Sequence, residues 1–264
     1  MSTFVDFIKI FKLNSKLKIA RGMQYRADFF IGLFVSLGLS SLGPIFQYLI
    51  FSNCNGYPNW NLKQIILFQG VMLLWFGIKD MFFGEVRGTV EAMIRGGDFD
   101  RLLLKPYPPI GIILTSGFYF QGLGSIIGGL TIITYSIQSM SLDVSIIQIG
   151  LFITFIIAGI ILYMAVTVIY CTIAITIVYM GRLGEIIDRL LQFSQYPLEI
   201  FFPVVRIVFI TFFPVAVWIY FPTQALLNRV GVSAITSLFS CLILFYASIL
   251  IWNKCLKKYK SVGG

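Results

Sequence analysis

The chain is predicted to be an all-α polytopic membrane protein, and three observations predict it. Apolar, almost charge-free runs of spanning length recur along the whole sequence. Charged residues make up only 12% of the chain and hydrophobic ones 58%, whereas a soluble domain carries about 25% charged residues. Basic residues crowd into alternate connecting segments, as the orientation of a multi-pass protein requires. The runs are also too long and too uniformly apolar for barrel strands, which alternate over stretches of roughly 10 residues.

The lead, residues 1–28, is polar and basic. Phe4, Phe7, Ile8 and Phe11 recur at i, i+3, i+4 and i+7, with lysines between them. That spacing predicts an amphipathic helix lying on a membrane face, its lysines toward anionic headgroups. The apolar run behind it is too long for the core of a cleaved signal peptide. Six spans follow, at about 29–51, 65–83, 110–137, 146–180, 200–221 and 235–252. Each is long enough to cross a hydrocarbon core roughly 30 Å thick. A helix is the only open segment that satisfies its own backbone there. The fourth run would extend about 52 Å as a helix. It has no proline, and only Gly150 and Gly159 interrupt its larger side chains, so it reads as one helix continuing past the bilayer. A basic tail, 253–264, closes the chain.

The lead, residues 84–109, residues 181–199 and the tail carry sixteen basic residues, whereas segments 52–64, 138–145 and 222–234 carry only Lys63 and Arg229. Basic residues favour the inside, so both termini are expected in the cytosol of a cell whose inner membrane holds the chain. The net charge of +9 is thereby assigned to orientation, not to nucleic acid.

Residues 84–109 form a charged island with four acidic and four basic side chains between two spans. Val86, Val90, Met93 and Ile94 share one helical face, while Arg87, Glu91 and Arg95 alternate in sign along another. Gly96-Gly97 is expected to end that helix in a left-handed cap. Asp98 is then expected to N-cap a second short helix, Phe99–Leu104, stopped by Pro106, Pro108 and Pro109. Two short helices with a stiff return to the membrane suit contact with a soluble partner; a solvated loop packed on headgroups is the structural alternative.

Among charges near the spans, Lys79, Asp80, Glu199 and Arg206 are expected to snorkel or pair. Gly124 and Gly128 form a G-x-x-x-G pair suited to close helix packing. Phe202, Pro203, Arg206, Phe213 and Pro214 lie in a segment rich in proline and aromatics. Kinked helices of that kind suit a path for an apolar or cationic molecule, and equally a face toward lipid. The four cysteines, Cys54, Cys171, Cys241 and Cys255, have no paired spacing, and histidine is absent. A metal site or a catalytic triad therefore finds no residues here. No G-x-x-x-x-G-K-[ST] phosphate loop occurs, so the chain is expected to bind no cofactor itself.

The stretch Gly97-Asp98-Phe99-Asp100-Arg101-Leu102-Leu103-Leu104-Lys105-Pro106 resembles the G-x-x-D-x-x-L-x-(K/R)-P cytosolic stretch of ABC-2 type ABC transporter permeases, in their six-span multidrug- or viologen-exporter-like branch. Gly97, Asp100, Leu103, Lys105 and Pro106 fit its positions. Tyr196-Pro197-Leu198-Glu199-Ile200-Phe201, with Pro214 and Tyr220-Phe221-Pro222, and the ending Trp252-Asn253-Lys254 extend the resemblance along the chain. It implies an exporter permease driven by a separate cytosolic ATPase subunit that binds ATP and magnesium. It also implies a dimer with an identical or paralogous permease, and coupling helices at the island. Glu91, Arg95, Gly96, Gly97, Asp98, Asp100, Arg101, Leu103, Lys105 and Pro106 are the expected coupling residues. From the residues alone, an autonomous secondary carrier or channel and a non-transporting scaffold stay open.

Overall fold

A computed structural model describes residues 2–24, 26–53, 56–177 and 183–259. Cys54, Met180, Arg182 and Lys260 lie outside the described residues, as does the side chain of Phe4. Every regular element described is helical. In order these are α1 (Ser2–Gln24), α2 (Arg26–Asn53), α3 (Leu62–Phe83), α4 (Val86–Arg95), α5 (Asp98–Leu103) and α6 (Pro109–Thr115). They continue as α7 (Gly122–Ser139), α8 (Ile146–Thr176), α9 (Leu183–Phe193), α10 (Pro203–Ile207), α11 (Tyr220–Leu226) and α12 (Ser233–Leu256). By length and apolar character, three stretches among the described residues are candidate membrane spans: Leu62–Arg95, Ile146–Thr176 and Ser233–Leu256.

The starts of α3 and α8 are built alike. Asn61 and Gln64, and likewise Ser145 and Gln148, form reciprocal capping boxes, which satisfy otherwise orphaned amides. The two starts lie at the same end of the bundle, where Lys63 Nζ donates to the Ser139 carbonyl just before α8, at 2.7 Å. α3 and α7 run antiparallel in very close contact. A Cβ on Gly129 would lie 2.4 Å from the Leu74 amide nitrogen, and one on Gly122 would lie 2.6 Å from the Gly77 carbonyl. Glycine alone permits that approach. Gly124 is buried in the same helix and Gly128 half-buried.

The core centres on indoles. Trp75 and Trp218 pack with centroids 5.1 Å apart, and Trp218 Nε1 donates to the Gly159 carbonyl at 3.2 Å. Gly159 makes room for this, because a Cβ there would sit 2.6 Å from Trp75 Nε1. The fourth run is accordingly one unbroken helix to Thr176. α12 lies along α8 through a narrow stripe, Ala234, Ser237, Cys241, Ser248 and Trp252. Its other faces expose Phe239, Leu242, Ile243 and Tyr246, and α2 exposes Phe34, Leu39 and Phe46. Such a surface suits hydrocarbon as solvent.

Two of the expected spans are not continuous helices. The run 110–137 divides into α6 and α7, separated by 116–121. There the extended backbone crosses the end of α3: the Tyr119 amide donates to the Met81 carbonyl at 3.1 Å, and the Glu85 amide to the Gly117 carbonyl at 3.2 Å. Capping α3 in this way competes with helix continuity.

The run 200–221 breaks into a 3₁₀ turn at Leu198–Ile200, α10, a π-helical turn at Val208–Phe212, a second 3₁₀ turn at Val215–Val217, and α11. Pro203 and Pro214 remove backbone donors inside it. Nor does Glu199 begin a span at the island end. It accepts a hydrogen bond from Trp60, which sits just before α3 at the opposite end. The chain therefore crosses the bundle through α9 and on to Glu199. It then dips back toward the core through α10 and returns by α11, whose end meets α8's first turn through Gln148 Nε2 and the Leu226 carbonyl, 3.4 Å apart.

Candidate functional site

The island folds as two short helices, as its periodicity predicts. Val86, Val90 and Ile94 form the buried face of α4, and Phe99 and Leu102 that of α5. Gly97 is left-handed at φ 71°, whereas Gly96 stays right-handed. The hinge thus needs one glycine, and it is Gly97 that occupies the N-cap position of α5. Asp98, expected to be that cap, instead stands in the first turn and pairs with Arg101 at 3.1 Å. A carboxylate there still complements the helix dipole.

Polar ties join α4 to two different helices. The Tyr170 hydroxyl of α8 donates to Glu91 Oε1 at 2.5 Å. Arg87 reaches Asp188 of α9 at 3.0 Å and donates to the Gly184 carbonyl at 3.2 Å. Arg87 and Glu91 stand one turn apart, so a single face of α4 grips α8 and α9 together. The expected sign alternation is realised only in part: Glu91 pairs with Arg95 at 3.3 Å, while Arg87 turns to Asp188.

Magnitudes separate the roles. The Arg87–Asp188 pair is half exposed, and exposed pairs contribute about 0–1 kcal/mol. Each fully buried apolar side chain on the other face contributes about 1.5–3 kcal/mol. Burial holds the helices in place, and the polar ties set where they sit.

α5 is also fastened to the chain's end. The Phe99 and Tyr259 rings lie 4.9 Å apart, and Tyr259 hydrogen-bonds Asp100; burial first, and then that bond, push its phenol above the ordinary value. What remains faces outward: Arg95, Gly96, Gly97, Asp98, Arg101, Lys105 and Pro106. Leu103 is 37% exposed, but the adjacent Leu104 is 87% exposed and forms the apolar tip.

The proline- and aromatic-rich residues do not converge. Phe202 is 82% exposed. Arg206 folds back to donate to the carbonyls of Leu198, Phe201 and Glu199 at 3.0, 3.2 and 2.9 Å. Phe213 lines a cavity of about 220 Å³ between α8 and α9. That cavity is lined by Val166, Ile169, Tyr170, Ile173 and Ile187, among other apolar side chains of both helices. Tyr170 therefore touches both the cavity and the island. Glu199 organises a second polar cluster at the opposite end: Trp60 Nε1 donates to Oε2 at 2.9 Å and the Tyr220 hydroxyl to Oε1 at 2.7 Å.

Sequence reasoning gives no role to Tyr170, Asp188 and Trp60, and names Tyr220 and Leu104 only within the family-like stretches. The first four gain meaning only from partners 21 to 139 residues away. Leu104 was detectable only as an apolar residue between Arg101 and Lys105.

An all-helical bundle with an apolar outer surface and a charged helical island at one end is the build of a multi-pass membrane subunit. A model of the family described as ABC-2 family transporter protein matches residues 37–263, the island included. The chain belongs to that family. No curated protein and no solved structure matches it. ABC-2 permeases are the membrane subunits of transporters, not catalytic themselves, and typically work with an ATPase subunit.

Proposed function

We propose that this chain is the transmembrane permease of an ATP-driven exporter, and that the island is where a separate ATPase subunit drives it. The observation that carries this reading is the double grip of α4: Glu91 on Tyr170 and Arg87 on Asp188. A push on the exposed tip, Arg95 to Pro106, passes through α4 into α8 and α9 at once, and those helices wall the apolar cavity. Glu91 transmits rather than touches the partner; Asp100 braces α5 against Tyr259; Gly97 supplies the hinge.

In this reading the island and both termini lie in the cytosol, and the chain sits in the inner membrane. Six crossings are made by α2, α3, α6 with α7, α8, α9 through Glu199, and α12; residues 1–28 and 253–264 flank that single domain. ATP and magnesium reside on the ATPase subunit, and a second permease, identical or paralogous, completes a dimer. The uncharged cavity lining favours an apolar substrate over a strongly hydrated one. Phe213 is the one residue of the proline- and aromatic-rich segment that belongs to that path, and Phe202 is the candidate least suited to it.

The test is purification of the tagged chain from its native membrane. A soluble subunit carrying a phosphate loop is expected to come with it, and Asp100→Lys is expected to abolish ATP-driven transport while membrane insertion persists. Transport by the chain alone in liposomes, driven by an ion gradient, would overturn the proposal.

A further inference from the structure

A groove of about 480 Å³ runs along α1, opposite Met81 and Phe118. On its α1 wall Lys12, Lys16, Ile19 and Met23 recur at i, i+4, i+7 and i+11, so they form one stripe. The stripe is cationic at one end and apolar at the other. Both lysines are exposed. Between them Ser15 has a buried hydroxyl with no hydrogen-bond partner among the described residues, and a buried polar atom calls for one.

Contacts along α1 place the groove in the bundle. Phe7 packs on Tyr107 at 6.2 Å, Asn14 Nδ2 donates to the Thr115 carbonyl at 3.3 Å, and Lys18 Nζ donates to the Ser116 carbonyl at 2.7 Å. α1 therefore runs beside α6 at the island end of the bundle, where the Glu85 amide donates to the Gly117 carbonyl. Lys12 and Met23 are separated by about 16 Å of helix, enough to place a headgroup at one end and several methylenes of a chain at the other.

We propose that this groove binds one anionic glycerophospholipid from the leaflet at the island end, its phosphate on Lys12 and Lys16 and one acyl chain against Ile19, Met23, Met81 and Phe118. The stripe's cationic and apolar ends match the two ends of an amphiphile, and a zwitterionic lipid would leave the two cations without a net countercharge. An occupied groove presses α1 onto Phe82, on which Phe11 stacks at 5.5 Å. The bound lipid thereby braces the root of the island. This inference rests on the membrane reading of the bundle and not on the ATPase partner, so its failure would leave the coupling proposal standing.

Native mass spectrometry of the delipidated full chain in detergent tests it, with palmitoyl-oleoyl phosphatidylglycerol and the matching phosphatidylcholine as probes. One phosphatidylglycerol is expected to be retained in preference to phosphatidylcholine. Lys12→Gln with Lys16→Gln is expected to weaken it about 30-fold, which is about 2 kcal/mol at two surface lysines. Lys12→Arg with Lys16→Arg is expected to keep the lipid, and Ala20→Trp, which fills the groove and leaves both charges, to lose it. Equal retention of the two lipids by the unaltered chain, or loss of phosphatidylglycerol in the arginine variant, would overturn the proposal. So would retention by the glutamine or tryptophan variants at the level of the unaltered chain.

Discussion

Replacing Tyr170 by Phe removes a single oxygen and isolates one of the two grips on α4. The ring is 1% exposed, and Phe keeps its volume, so packing around α8 is conserved. The lost contact is a 2.5 Å hydrogen bond to a carboxylate, a kind that contributes about 1.5–3 kcal/mol. The Glu91 side chain is one-third exposed and keeps its pairing with Arg95, so water reaches the vacated oxygen and the lower end of that range applies, about 1.5 kcal/mol. Denaturation in mild detergent measures the loss, and a double-mutant cycle with Glu91→Ala, which removes the acceptor, isolates the pair. A coupling energy of about 1 kcal/mol is expected, together with faster amide hydrogen exchange across residues 86–95. If the two substitutions add to within about 0.3 kcal/mol and exchange in α4 is unchanged, the apolar face alone holds α4, and the grip on α8 transmits nothing.

Other outcomes follow from the same geometry. Gly129→Ala puts a methyl 2.4 Å from a backbone nitrogen and is expected to cost about 1–3 kcal/mol, less up to about 1 kcal/mol from better helix propensity. Gly88→Ala meets nothing within 4 Å and is expected to stabilise by about 0.5–1 kcal/mol, so thermal melts of the two variants move in opposite directions. Glu199→Ala strands the Trp60 and Tyr220 donors and is expected to cost about 3 kcal/mol, with Glu199→Gln costing roughly half; limited proteolysis between residues 200 and 217 reports the loosened segment. Leu104→Ser, at the exposed tip, is expected to change stability by less than about 0.5 kcal/mol. The same variant is expected to weaken capture of the ATPase subunit by more than about 1 kcal/mol, read from a pull-down titration.

The two polar clusters occupy opposite ends of the bundle and have different characters. Arg87, Glu91, Tyr170 and Asp188 tie a partly exposed helix to the membrane helices, whereas Glu199, Trp60 and Tyr220 tie a doubled-back segment to the start of α3. Between them lie the Trp75–Trp218 stack and Gly159, which are closely packed and leave little room for independent motion. In the proposed coupling, a displacement of α4 would be carried by α8 and α9 as rigid elements rather than absorbed locally.

The membrane class, the island and its two helices were determined by the sequence itself, because each depends on local chemistry. Hydrophobic run length decides what lipid will accept, the spacing of Val86, Val90 and Ile94 decides a buried helical face, and Gly97 decides where the chain turns. Tertiary structure decided the rest. The run 110–137 is apolar throughout, yet it breaks at 116–121 because that backbone caps the end of α3. The run 200–221 has spanning length, yet Pro203 and Pro214 break it, and Glu199 before it lies beside Trp60 at the end of the bundle opposite the island. Hydropathy measures only whether a segment tolerates lipid. Whether it crosses, doubles back or caps a neighbour depends on hydrogen bonds between residues far apart in sequence, such as Trp60 with Glu199 and Glu91 with Tyr170, and no local pattern records those pairings.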